Sequence, residues 1–300
     1  MRLLVTGGSG YVGAGILRRA PKDWHITATY RAHPIERADV AVCRLDVRDA
    51  DAVNRLFDEF QPDLVIHTTA LMTGDEMMAV NADGSRNVAR AAKWIGARLI
   101  HLSSDVIFDG EHAPYNESAP PDPITPYAES KARAEQFVRE EYPGAIIVRT
   151  SLVYGFDPMD SRTRQTLNGE FPRLFTDEYR CPIFADDLAE AVIEIALSLR
   201  GAERRSNLDA DLRDCFAAKR FAAPRNDMPP ILNLAGAQRV SRYEFGVKLA
   251  QAYHVAPRFA PAVAASFPVP RPRDCALDIA LAQKILRTKL RGVDEVLARM

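Results

Sequence analysis

A chain of 300 residues can hold one large domain or two modest ones, and either buries a substantial core. With 47% hydrophobic and 26% charged residues and a net charge of -1, it lacks the field that attracts nucleic acid or anionic lipid. No apolar run reaches the roughly 18 residues of a membrane span, so neither nucleic acid nor membrane is an expected partner.

The first residues pass straight into a strand-like run, without the basic, apolar and small-residue segments of a signal peptide. Cys43, Cys181, Cys215 and Cys275 are scattered and suggest neither a disulfide framework nor a zinc site, so a reducing cytoplasm is the expected location. In chain order, β-rich runs at Arg2–Thr6, Trp24–Tyr30, Val40–Leu45, Leu64–His67, Leu99–Ser103 and Ile146–Arg149 alternate with helix-like stretches. The helices are expected at Tyr11–Arg19, Ala50–Phe60, Glu76–Ile95 and Tyr127–Tyr142. This is the pattern of an α/β protein with a Rossmann-type, doubly wound parallel sheet.

Residues 1–155 are therefore expected to form a dinucleotide-binding domain, with 180–200 returning to it, and 156–300 a smaller, Pro- and Arg-richer substrate lobe. Helices are expected there at Ala185–Leu199, Arg242–Tyr253 and Ile279–Leu286, and 201–230 reads as a loop insertion.

The first strand ends in Thr6-Gly7-Gly8-Ser9-Gly10-Tyr11-Val12-Gly13, directly before a helix. Gly7 can make the tight turn, Gly10 removes the Cβ that would block a pyrophosphate, and Gly13 lets helix and strand approach. The helix N-terminus, from Ser9 through Tyr11 and Val12, then offers free N–H groups and partial positive charge to the phosphates. At the end of the second strand stands Arg31, where Asp or Glu would meet an unphosphorylated ribose. A guanidinium suits a 2′-phosphate, so NADP(H) is the preferred cofactor and NAD(H) the alternative.

Tyr127 and Lys131 are four apart at the start of a helix and share a face. The preceding strand ends in Ser103-Ser104-Asp105, at the sheet edge where open α/β sheets bind ligands. Reducing a carbonyl builds negative charge on its oxygen, which needs a hydrogen bond and a proton. Tyr127 is the expected acid/base, Lys131 the ammonium that lowers its pKa and binds ribose, and Ser104 the group that polarises the carbonyl, with Ser103 as its alternative. The six histidines show no metal-ligand spacing, and no metal is expected.

These motifs resemble the extended short-chain dehydrogenase/reductases, and within them the dTDP-4-dehydrorhamnose reductases, over nearly the whole chain. Further matches are Leu45-Asp46-Val47, His67-Thr68-Thr69-Ala70, Val80-Asn81, Ser103-Ser104-Asp105-Val106-Ile107-Phe108-Asp109-Gly110 and Arg149 to Gly155. The resemblance implies that Asp46 and Val47 contact adenine and that Thr68, Thr69, Ala70 and Asn81 line the cofactor. It implies that Ser104, Asp105, Val106 and Tyr127 meet the substrate. Those reductases carry Thr where Ser104 stands and Tyr where Val106 stands. The implied activity is NADPH-dependent reduction of a nucleotide-linked 4-keto-6-deoxysugar. A sugar-nucleotide epimerase or dehydratase, and a non-catalytic NADP-binding regulatory subunit, are the alternatives; a homodimer is compatible with each.

Overall fold

The computed structural model describes residues 1–206, 228–267 and 269–300. In chain order the first elements are β1 (Arg2–Thr6), α1 (Tyr11–Arg19), β2 (His25–Tyr30), β3 (Ala41–Arg44), α2 (Ala50–Phe60), β4 (Leu64–His67), α3 (Gly84–Ile95) and β5 (Arg98–Ser104). There follow α4 (Pro126–Glu141), β6 (Ile146–Thr150), β7 (Val153–Tyr154), α5 (Ser161–Asn168), β8 (Arg173–Phe175), β9 (Tyr179–Arg180), β10 (Ile183–Phe184) and α6 (Ala185–Ser206). The last are β11 (Ile231–Leu234), β12 (Val240–Ser241), α7 (Arg242–Ala252), β13 (Ala260–Ala262), α8 (Ala280–Ile285) and α9 (Val293–Leu297).

Seven strands form one sheet in the order β11-β6-β5-β4-β1-β2-β3, with β1 parallel to β2 and β4, β2 to β3 and β4 to β5. The order reverses between β1 and β4, the place where doubly wound sheets open a crevice at their carboxyl ends. Strands covered on both faces read as unbroken apolar runs, and Leu3, Leu4 and Val5 of β1 and Leu64, Val65 and Ile66 of β4 are fully buried. Asp49 caps α2 by accepting the Ala52 N–H at 2.9 Å, and Gly96, left-handed at φ 72°, ends α3.

A single helix is expected from Glu76, but the chain makes a π-helical turn over Ala79–Asp83 before α3. The widened turn presents buried Asn81 to the main chain of Leu71, which it engages twice, at 2.7 and 2.8 Å. Of the expected insertion 201–230, residues 201–206 continue α6, and 207–227 lie outside the described residues.

The chain divides into two compact units: Met1–Ser103, Arg133–Val148 and Val192–Ile231 in one, Ser104–Ala132, Arg149–Ala191 and Leu232–Met300 in the other. Sequence places the break near residue 155 with 180–200 returning; the chain crosses between the units at further points, Arg133–Val148 and Val192–Ile231 rejoining the first. The first unit packs Val53 and Phe57 of α2 and Val88, Ala89 and Ala92 of α3 into one core with Leu4, Val65 and Leu99. The second gathers Tyr154, Val240, Phe245, Leu249, Val293 and Val296. Its α7 begins on a capping box, with Ser241 and Glu244 bonded reciprocally at 2.8 and 3.1 Å. Among the described residues no helix is long and apolar enough to cross a membrane.

Candidate active site

In the first unit, the turn after β1 is built as tightly as its glycines suggest. Gly7 is left-handed at φ 78°, and a Cβ there would lie 2.8 Å from the Thr69 nitrogen. A Cβ on Gly13 would lie 2.3 Å from the Gly7 carbonyl, so only glycine lets α1 approach the turn this closely. Gly10 caps α1 with no side-chain hydrogen bond, Tyr11 and Val12 begin the helix, and Ser9 stays exposed. A bare helix N-terminus behind a Cβ-free loop fits a pyrophosphate. Thr68 bonds the Thr6 and Gly7 carbonyls at 2.8 and 3.2 Å, tying the Thr68–Ala70 segment to that turn, and Asn81 holds the same segment through Leu71.

Arg31, Asp46 and Val47 lie in this unit too. Asp46 receives Arg48 Nη2 at 2.6 Å, and buried Val47 packs on α3, where a Cβ on Gly84 would come within 2.5 Å of it. The sequence shows no acid beside Arg31, yet Glu76 reaches Arg31 Nη1 at 3.3 Å. The carboxylate arrives from the loop after β4, which neighbour-in-sequence reasoning does not connect to β2.

The second unit holds Ser104, Asp105, Val106, Tyr127 and Lys131. Ser104 ends β5 and opens a 3-10 turn over Asp105–Ile107, and Tyr127 and Lys131 lie one turn apart at the start of α4. The Ser104 hydroxyl acts on the Tyr127 phenol, favouring its ionised form, whereas Ser103, the alternative, has a buried hydroxyl with no partner among the described residues. Val106 is half-buried, and Lys131 is almost wholly buried.

The pKa expected for Tyr127 needs correction. Burial first, then the Asp105 charge, push the phenol up to about 12, and the Ser104 hydroxyl pulls the other way. Desolvation of the phenolate thus outweighs the pull of Ser104. Asp105 is itself fully buried, and burial raises its carboxyl against the pull of Arg180, Ser151 and Ser104.

An arginine group that no sequence spacing announces completes this unit. Glu178 is buried and contacts Arg271 Nε at 2.6 Å and Arg180 Nη2 at 3.4 Å, while its carbonyl accepts the Arg242 backbone N–H at 2.8 Å. Arg162 and Arg242 face the same carboxylate and repel each other, and neither guanidinium has a hydrogen-bond partner among the described residues. Burial first, then Arg162, pull the Arg242 guanidinium down to about 9. Asp105 and Asp160 stand at the margin, leaving four guanidiniums with surplus positive charge. Asp105 links this group to the hydroxyls: one oxygen accepts from Ser104 at 3.3 Å, and the other accepts from Ser151 at 2.6 Å and lies 3.7 Å from Arg180 Nε. No cluster of three metal-ligating side chains occurs among the described residues; His67 bonds Thr6 and Ser85 at 2.5 and 3.0 Å.

Comparison with known proteins gives matches over most of the chain. Methionine adenosyltransferase 2 subunit beta of Bos taurus is 25% identical over 92% of this chain and 80% of its own. A dTDP-4-dehydrorhamnose reductase of Sinorhizobium fredii is 32% identical over 72% of this chain and 71% of its own. The solved dTDP-4-dehydrorhamnose reductase of Bacillus anthracis, in complex with NADP, superposes with a TM-score of 0.74 at 21% identity, over 99% of this chain and 97% of that one. The model of the RmlD substrate binding domain matches residues 1–208. With that match and the Sinorhizobium fredii likeness, the chain belongs to the RmlD substrate binding domain family, within the extended short-chain dehydrogenase/reductases.

Proposed function

We infer that this chain is an NADPH-dependent reductase of a nucleotide-linked 4-keto-6-deoxysugar, with NADH as the lesser cofactor. The observation that carries the reading is Asp105, which joins the Ser104–Tyr127 hydroxyl pair to an arginine group with surplus charge. Guanidiniums suit a diphosphate, and a carbonyl under reduction needs a hydrogen-bond donor and a proton. A nicotinamide held there would supply the hydride for the carbonyl carbon. Ser104 donates to the carbonyl oxygen, Tyr127 delivers the proton as charge develops there, and Lys131, one turn along α4, provides the ammonium beside phenol and ribose.

Gly7, Ser9, Gly10, Tyr11, Val12 and Gly13 are the residues for the pyrophosphate. Asp46 and Val47 serve the adenosine end and Thr68, Thr69, Ala70 and Asn81 the adjoining wall. Arg31 is assigned to the 2′-phosphate. One charge-assisted contact of this kind is worth roughly 1.5–3 kcal/mol, so Arg31→Ala should erase about tenfold or more of the preference for NADPH over NADH. Titration of both cofactors against both proteins checks this, and a ratio of affinities left unchanged by Arg31→Ala would remove the role from Arg31.

The function is tested by following loss of NADPH absorbance with a panel of nucleotide-linked keto sugars. Turnover of a dTDP-4-keto-6-deoxyhexose, with none of simple ketones, is the expected result, because binding energy from the remote nucleotide positions the carbonyl. Activity confined to unlinked carbonyl compounds would overturn the substrate class. A second reading, a non-catalytic NADP-binding regulatory subunit, is favoured by the likeness to methionine adenosyltransferase 2 subunit beta. Silence on every compound, with co-purification of a synthetase, would decide for it.

A further inference from the structure

Beyond the end of β2, two guanidiniums share one carboxylate. Arg31 Nη1 lies 3.3 Å from Glu76 Oε2, and Arg48 Nη1 binds Glu76 Oε1. Asp46 occupies the other edge of Arg48, meeting Nε and Nη2 at 3.0 and 2.6 Å. Arg44 adds a third cation nearby, its Nε donating to the Arg31 carbonyl at 3.2 Å. Arg31 and Glu76 keep 42% and 50% of their side-chain surface exposed, so an incoming ligand can reach both. A carboxylate bridging two guanidiniums holds the position that a phosphate between them would take.

Resting on the reading of an NADP(H)-dependent reductase, we propose that Glu76 sets the choice between NADPH and NADH by competing with the 2′-phosphate for Arg31 and Arg48. With Glu76 in place one of the pair's two charges is offset, and a phosphate carrying close to two negative charges must displace the carboxylate or bind beside it. A free ribose 2′-hydroxyl meets no such repulsion and can donate to the same carboxylate, which is how an acid ordinarily selects NADH. Glu76 therefore weakens NADPH and spares or aids NADH. Asp46 does not substitute for it, since among the described residues it pairs with Arg48 and does not bridge to Arg31.

The test is calorimetric titration of the whole protein with NADPH and with NADH, before and after Glu76→Gln, a readout that needs no turnover. The ratio of NADPH to NADH affinity should rise about tenfold, chiefly through tighter NADPH, as one unfavourable charge leaves the phosphate's surroundings. The gain should shrink in an Arg31→Ala background, because one of the two cations that Glu76 engages is then gone. Both cofactors binding with an unchanged ratio, or NADPH binding more weakly to Glu76→Gln, would overturn the proposal alone. Neither cofactor binding the unmutated protein would overturn the cofactor reading, and the proposal with it.

Discussion

Tyr127→Phe should lower the rate of carbonyl reduction by about 10²–10⁴-fold, the usual contribution of a positioned general acid. NADPH affinity should stay within about twofold, because the phenol acts on the developing charge and not on the dinucleotide. The lost atom is the one that Ser104 contacts, so the variant removes both the proton and one end of the hydroxyl pair. A phenol held up near 12 stays protonated at neutral pH, which is the form a proton donor needs, and it is still more acidic than the alcohol being formed. The sign follows: reduction requires the protonated phenol, so its rate should be level through neutral pH and fall only on the alkaline side. Single-turnover kinetics with a confirmed substrate check the loss. Turnover close to that of the unmutated protein would take Tyr127 out of the reaction, and a parallel loss of NADPH binding would make it a scaffold residue.

Arg242→Met should move stability and ligand affinity in opposite directions. The Arg242 guanidinium is buried, lacks a hydrogen-bond partner among the described residues and is repelled by Arg162, so the fold opposes its charge. Replacing it with an apolar side chain of similar length should stabilise the protein by about 1–3 kcal/mol, the scale seen when buried charges give way to packed apolar groups. No carboxylate is orphaned, because Glu178 keeps Arg180 and Arg271. The backbone contact to Glu178 and the Ser241–Glu244 capping box do not involve the substituted side chain. Affinity for a nucleoside diphosphate such as dTDP should meanwhile fall about tenfold or more, since a charge-assisted contact in a desolvated site is lost. Thermal unfolding and calorimetry with dTDP check the two arms. A less stable variant with unchanged dTDP affinity would make Arg242 structural and remove it from the anion group.

Features that lie in local sequence order were legible. The Gly7-to-Gly13 turn has one backbone solution between a buried strand and a helix, and the 2.3 Å approach of a Gly13 Cβ to the Gly7 carbonyl shows why glycine stands there. Tyr127 and Lys131 are joined by helical periodicity, and Ser104 by its place at a strand end. The π-helical turn at Ala79–Asp83 was not legible, because its apolar spacing is helical and its width appears only with the Asn81 bonds to Leu71.

The short strands after Thr150 were not expected. By itself the sequence determined the alternation of strands and helices through the first half, the glycine turn and the one-turn spacing of Tyr127 and Lys131, because each is set by residues near one another in the chain. Tertiary structure alone decided what surrounds them. Glu76 meets Arg31 from 45 positions along the chain, and Arg162, Arg242 and Arg271 converge on Glu178 from separate stretches. Tertiary structure also decided the Tyr127 phenol, whose pKa rises because folding withdraws it from water and sets it near Asp105. Charge, burial and repulsion act through space, and only the folded chain brings residues so far apart in sequence within their range.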